Sequence, residues 1–98
     1  MIEWRKIKGF KNYEISNDGC VRNIKFNRLL KPWKHSAGYY QIELCENGQT
    51  KKLLLHRLIA EAFIPNPENK EWVNHINGIK TDNRISNLGW CSKGRKQH

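Results

Sequence analysis

An α+β fold is predicted for this chain: a small antiparallel sheet, one amphipathic helix, and then a second hairpin. Three stretches predict it. Tyr39 to Leu44 alternates with period two and leads to Asn47-Gly48, the strongest two-residue hairpin signal in the sequence. Leu55, Leu58, Ile59, Ala62 and Phe63 recur at helical spacing. Val73 and Trp90 bracket a polar loop carrying Asn77, Gly78, Asp82, Asn83 and Asn87, which reads as strand, loop, strand. At 98 residues the chain suits one small domain with a thin core. It divides into a basic β module, residues 1–52, and a unit of helix plus second hairpin, residues 53–98.

Trp4, Ile7 and Phe10 are spaced to cover one side of an irregular opening segment. Tyr13-Glu14-Ile15 alternates as a short strand, Asn17-Asp18-Gly19 turns the chain, and Cys20 to Ile24 returns. Leu29-Leu30-Lys31 adds a brief strand that Pro32 ends. Tyr40, Ile42 and Leu44 point one way and Tyr39, Gln41 and Glu43 the other, so this hairpin buries one face. Thr50 to Leu54 pairs back beside it. A helix follows over about His56 to Phe63, and Pro65 stops it. His56, at the helix start, is expected to be a hydrogen-bonded structural residue.

Lys and Arg number 18 against 9 Asp and Glu, a formal charge of +9. Residues 1–35 hold nine of the basic groups and three of the acidic ones, two thirds of the excess. Such a balance in a small chain points to a polyanion, and nucleic acid is the commonest. No apolar run is long enough to cross a membrane, and the N-terminus lacks the apolar stretch of a secretory signal. Cys20, Cys45 and Cys91 are odd in number and far apart, which implies neither a disulfide framework nor a zinc ribbon. Reduced thiols fit the cytoplasm.

Asn74-His75-Ile76-Asn77-Gly78-Ile79-Lys80, followed by Asn83, Asn87-Leu88 and Trp90, resembles the HNH motif, the ββα-metal site of phage and intron homing endonucleases. Many positions match in order. The stretch from Trp4 through Gly9-Phe10, Tyr13, Ile15-Ser16-Asn17 and Gly19 to Val21-Arg22 looks like the small module that often precedes HNH domains in phage endonucleases. His56-Arg57-Leu58-Ile59-Ala60 matches relatives that carry both parts. Together the resemblances cover nearly the whole chain.

The resemblance implies a metal-dependent DNA endonuclease, nicking one strand of double-stranded DNA in the cytoplasm of a host cell if phage-encoded. No small-molecule substrate is implied, and a monomer or weak dimer suffices. His75 would be the general base, and Asn74 would supply an oxygen to one divalent ion, Mg²⁺ or Mn²⁺. Asn87 would tie the loop that aims His75. Arg22, Lys25, Arg28, Lys51, Lys52, Lys80, Arg84, Lys93, Arg95 and Lys96 are the expected DNA contacts. The chain departs from the family after Trp90. Where relatives place a third Asn or His ligand, it has Lys96, and a charged ammonium has no lone pair to give. His98 could take that place if the last turn is rearranged. The alternative function is a DNA-binding protein that keeps the HNH fold with weakened catalysis.

Overall fold

A computed structural model describes residues 1–92 of the chain. Nine strands and one helix run in the order β1 (Trp4–Ile7), β2 (Phe10–Ser16), β3 (Val21–Asn23), β4 (Arg28–Leu30), β5 (Trp33–Lys34), β6 (Tyr40–Glu46), β7 (Gln49–Leu54), α1 (Leu55–Phe63), β8 (Trp72–His75) and β9 (Leu88–Cys91), with a single 3-10 turn at Ile85–Asn87 before β9. The α+β class and the antiparallel pairing agree with the expectation. The β8-β9 pair is the expected second hairpin, but the strands before it form two sheets rather than one: β1-β2-β3-β4 and β5-β6-β7.

The opening segment is more regular than its sequence suggests. Trp4, Arg5 and Lys6 pair with Ser16, Ile15 and Glu14 as a strand. Arg5 and Lys6 are exposed on this edge strand, and Ile7 is buried. Asn47 and Gly48 both adopt positive φ, at 55° and 78°, which closes β6 onto β7 with Glu46 opposite Gln49. α1 follows β7 without a break and has no side-chain cap. Packing holds it: Leu55, Leu58, Ile59 and Ala60 are buried.

One core joins the two halves. Ile15 and Val21 from the first sheet, Ile42 and Leu44 from the second, Ile59 from α1 and Leu88 from β9 belong to the same buried cluster. Polar ties reinforce it. The Tyr13 hydroxyl donates to the Cys45 carbonyl at 3.1 Å and accepts from the Cys45 N–H at 3.0 Å, linking the first two sheets. Arg5 donates to the Ala62 carbonyl at 2.6 Å and lies over the Phe63 ring, fixing β1 to the end of α1. On the far side, Trp90 donates its indole N–H to the Ile64 carbonyl at 3.0 Å, so β9 is held against the same helix end. The β8-β9 hairpin is thereby fixed against the helix that the N-terminal sheets also cover.

Candidate active site

Asn74 and His75 end β8. As strand neighbours they project to opposite faces. His75 goes inward and is 6% exposed. Asn74 is half-buried and lines an open cleft with Lys70, Ile76, Trp90 and Cys91.

The loop over 76–87 is held by its own amides. Asn87, also buried, donates from its amide nitrogen to Asn77 Oδ1 and to the Asp82 carbonyl, both at 2.9 Å. Its Oδ1 accepts the Asn77 N–H at 3.0 Å. Asn77 donates to Asp82 at 2.8 Å, and its Oδ1 accepts the Ile79 N–H at 2.8 Å. Arg84 grips Asp82 through two nitrogens at 2.8 and 2.7 Å. Those guanidinium bonds first, and the Asn77 amide after them, hold the Asp82 carboxyl well below the usual carboxylate range. Gly78, at φ 79°, allows its N–H to reach the His75 carbonyl at 2.8 Å.

Within this frame His75 Nε2 lies 2.7 Å from Asn83 Oδ1. An amide oxygen accepts, so Nε2 carries a ring proton and donates it to Asn83. Asn77 and Asn87 bond backbone within the loop, whereas the Asn83 oxygen faces the histidine. The His56 ring stands 4.7 Å from that of His75, and the Tyr39 ring 5.8 Å from it. Burial, then the charges of His75 and Arg57, push the His56 pKa down to about 4. His56 Nδ1 is buried and, among the described residues, has no hydrogen-bond partner, contrary to the hydrogen-bonded role expected for it. Spacing in sequence gave no signal for Tyr39, which comes from the connection between β5 and β6.

The basic residues fall into distinct settings. Lys25 and Arg28 are exposed beside the β3-β4 turn. Arg22 is turned inward: it pairs with Glu14 at 2.5 Å and lies over the Trp4 ring at 4.1 Å. Lys51 and Lys52 are both exposed but stand opposite Leu44 and Glu43, so they leave different faces of the sheet and share no polar face. Arg84 is committed to Asp82, and Lys80 donates to the Ala37 carbonyl at 2.9 Å. Lys93, Arg95, Lys96, His98 and the closing helix lie outside the described residues.

The donor set fits a divalent cation in part. Asn74 offers one neutral oxygen of the hard kind that Mg²⁺ and Mn²⁺ take, in a cleft open to water and phosphate. Among the described residues no three His, Cys, Asp or Glu side chains come together to hold a metal.

A buried histidine on a polar, asparagine-tied hairpin is the part of the HNH motif that the described residues contain. The pattern described as HNH endonuclease matches residues 53–98, and that described as the NUMOD4 motif matches residues 3–45. The chain belongs to the HNH endonuclease family and carries a NUMOD4 motif ahead of the HNH part. It is 47% identical over 92 residues to the uncharacterized HNH endonuclease L245 of Acanthamoeba polyphaga mimivirus, covering 94% of this chain and 28% of that protein. To the DNA endonuclease I-HmuI of Bacillus phage SP01 it is 37% identical over 93 residues, covering 94% of this chain and 53% of that one. The solved structure of I-HmuI, described as DNA binding and cleavage by an HNH homing endonuclease, superposes with a TM-score of 0.85 over 93% of this chain and 53% of that one. The chain thus spans about half or less of the relatives it matches.

Proposed function

We propose that this chain is the catalytic part of a metal-dependent DNA endonuclease that nicks one strand of a duplex. The observation that carries the reading is the buried imidazole of His75, its Nε2 held 2.7 Å from Asn83 Oδ1. Nδ1 would take the proton of the attacking water, a role worth about 10²–10⁴ in rate. Asn87 keeps the loop, and with it the histidine, at one angle. Asn74 would hold the divalent ion, Mg²⁺ or Mn²⁺, which when bound supplies positive charge for the scissile phosphate and the departing 3′-oxygen. Lys25 and Arg28, both exposed, would meet phosphates.

Double-stranded DNA as partner is supported by the charge of +9 and by what I-HmuI is described as binding and cleaving. One hairpin carries one such site, so a monomer or weak dimer would cut one strand at a time. The host cytoplasm suits three free cysteines and phage relatives. A second reading, a DNA-binding protein with weakened catalysis, is favoured because, among the described residues, no three His, Cys, Asp or Glu side chains are grouped to hold a metal.

Incubation of supercoiled plasmid with the protein and Mg²⁺ or Mn²⁺ decides between them. Open-circle product that EDTA abolishes is expected, with a loss of about 10²–10⁴ in His75→Ala and little change in DNA binding. Nicking by His75→Ala at the wild-type rate would remove the general-base assignment. Tight binding with no nicking in the wild type would establish the second reading.

A further inference from the structure

Tyr39 reaches the site from the other half of the chain. The turn before it is tightly made: His35 donates its N–H to the Tyr39 carbonyl at 2.7 Å, and Gly38 donates to the His35 carbonyl at 2.8 Å. The Ala37 N–H donates to His35 Nδ1 at 3.0 Å. The turn delivers the Tyr39 ring to 5.1 Å from His56 and 5.8 Å from His75, tilted by 31° and 35°. These separations are those of packed aromatic rings.

Lys80 crosses from the HNH loop to close the arrangement. Its ammonium donates to the Ala37 carbonyl at 2.9 Å and stands 5.1 Å from the Tyr39 centroid, within cation–π range. Its stem runs along Gly38, where a Cβ would come 3.1 Å from Lys80 Cδ, and Gly38 has φ +99°. Glycine therefore serves two needs at once, the left-handed backbone and the close passage of the lysine.

We infer that Tyr39 is a positioning residue for His75 and that Lys80 locks it in place, so that the N-terminal module forms one wall of the active site. One hydrogen bond to Asn83 leaves the imidazole free to rock about the Nε2–Oδ1 line. Rings packed beside it remove that freedom, and the proton stays on Nε2. Lys80, which its sequence position suggests as a phosphate contact, is used internally. The inference rests on His75 as general base for its effect on rate, but its effect on the imidazole stands apart from any activity.

The test uses the whole chain labelled with ¹⁵N, at one pH and without DNA or metal. Long-range ¹H–¹⁵N spectra of the wild type should show His75 as the single Nε2–H tautomer. Tyr39→Leu and Lys80→Met should each show a mixture of tautomers, with the thermal midpoint of Lys80→Met close to wild type. Tyr39→Phe, which keeps the ring, should retain the wild-type signals. In the nicking assay both disruptive variants should lose about 10-fold in kcat with KM for DNA unchanged, as expected for a misplaced catalytic group. If the wild type does not nick, the nuclease reading fails while the spectra still decide the inference. Wild-type His75 signals in both Tyr39→Leu and Lys80→Met would overturn it. Overturning it in a different way, Lys80→Met could lower the slope of log affinity against log salt by about one and leave His75 untouched, which would make Lys80 a phosphate contact.

Discussion

In the β2-β3 pair Ile15 faces Val21, and both side chains are fully buried. In the β8-β9 pair His75 faces Leu88, and what lies between the strands is a loop of asparagine bonds. The first pair is held by apolar contact, which is tolerant of small displacements and roughly proportional to area. The second is held by directional bonds that fail one at a time, and each buried group left unmatched is costly. The N-terminal sheets can therefore supply stability, while the hairpin supplies a fixed angle for one imidazole.

Removing a core side chain tests the stability half of this contrast. Ile15→Ala should cost about 2–5 kcal/mol in denaturant unfolding and should loosen hairpin and sheets together, because one core serves both. Separate transitions for the two halves would show that they are not coupled. The pH dependence of folding gives the next largest effect. Unfolded, His56 takes its proton near pH 6.5; folded, it resists until about 4. Between those values the unfolded chain binds more protons, so stability is complete above pH 6.5 and falls as pH drops toward 4. From pH 6.5 to 5 the loss should be about 2 kcal/mol, and His56→Leu should remove it from a series of urea titrations.

Asn87→Ala sharpens the other half. It strips three bonds from the loop and should cost about 1–3 kcal/mol. Nicking should fall much further than stability does, and a variant that nicks normally would deny the hairpin its aiming role. The smallest effect concerns surface charge. Lys25→Ala and Arg28→Ala should each lower the salt slope of DNA affinity by about one. Arg22→Ala should change the slope less, because its guanidinium is already occupied by Glu14 and Trp4. A larger drop for Arg22 would mean that it leaves Glu14 when DNA arrives.

Much of the N-terminal half was legible in sequence because it is built from neighbours. Alternation over Tyr40 to Leu44, the Asn47-Gly48 turn and the apolar spacing of α1 are local patterns, and each is found where it was expected. The site was legible as a motif and less so as a geometry. Asn83 stands eight residues after His75, and only the path of the loop brings its oxygen to Nε2. Tyr39 and Lys80 meet across 41 positions of chain, a contact no periodicity announces. Composition counts charges, but not which of them already have a partner within the fold, as Arg22 has Glu14, Arg84 has Asp82 and Lys80 has the Ala37 carbonyl. The division of the first strands into two sheets was hidden because strand pairing depends on where the chain bends, as at Lys31-Pro32 between β4 and β5.

Asn77 and Gly78 form the sequence pair most prone to slow chemical ageing, in which the glycine nitrogen attacks the preceding side-chain amide and expels ammonia. In this loop the Asn77 amide is held from both ends, by Asp82 on its nitrogen and by Asn87 and Ile79 on its oxygen, while the Gly78 N–H is engaged by His75. The attack needs that amide to swing free. The other such pair, Asn47-Gly48, sits at the β6-β7 turn with Gly48 exposed. The network that aims the histidine should also lengthen the working life of the site, so that protein stored at warm, mildly alkaline pH acquires the mass change of deamidation at Asn47 well before Asn77.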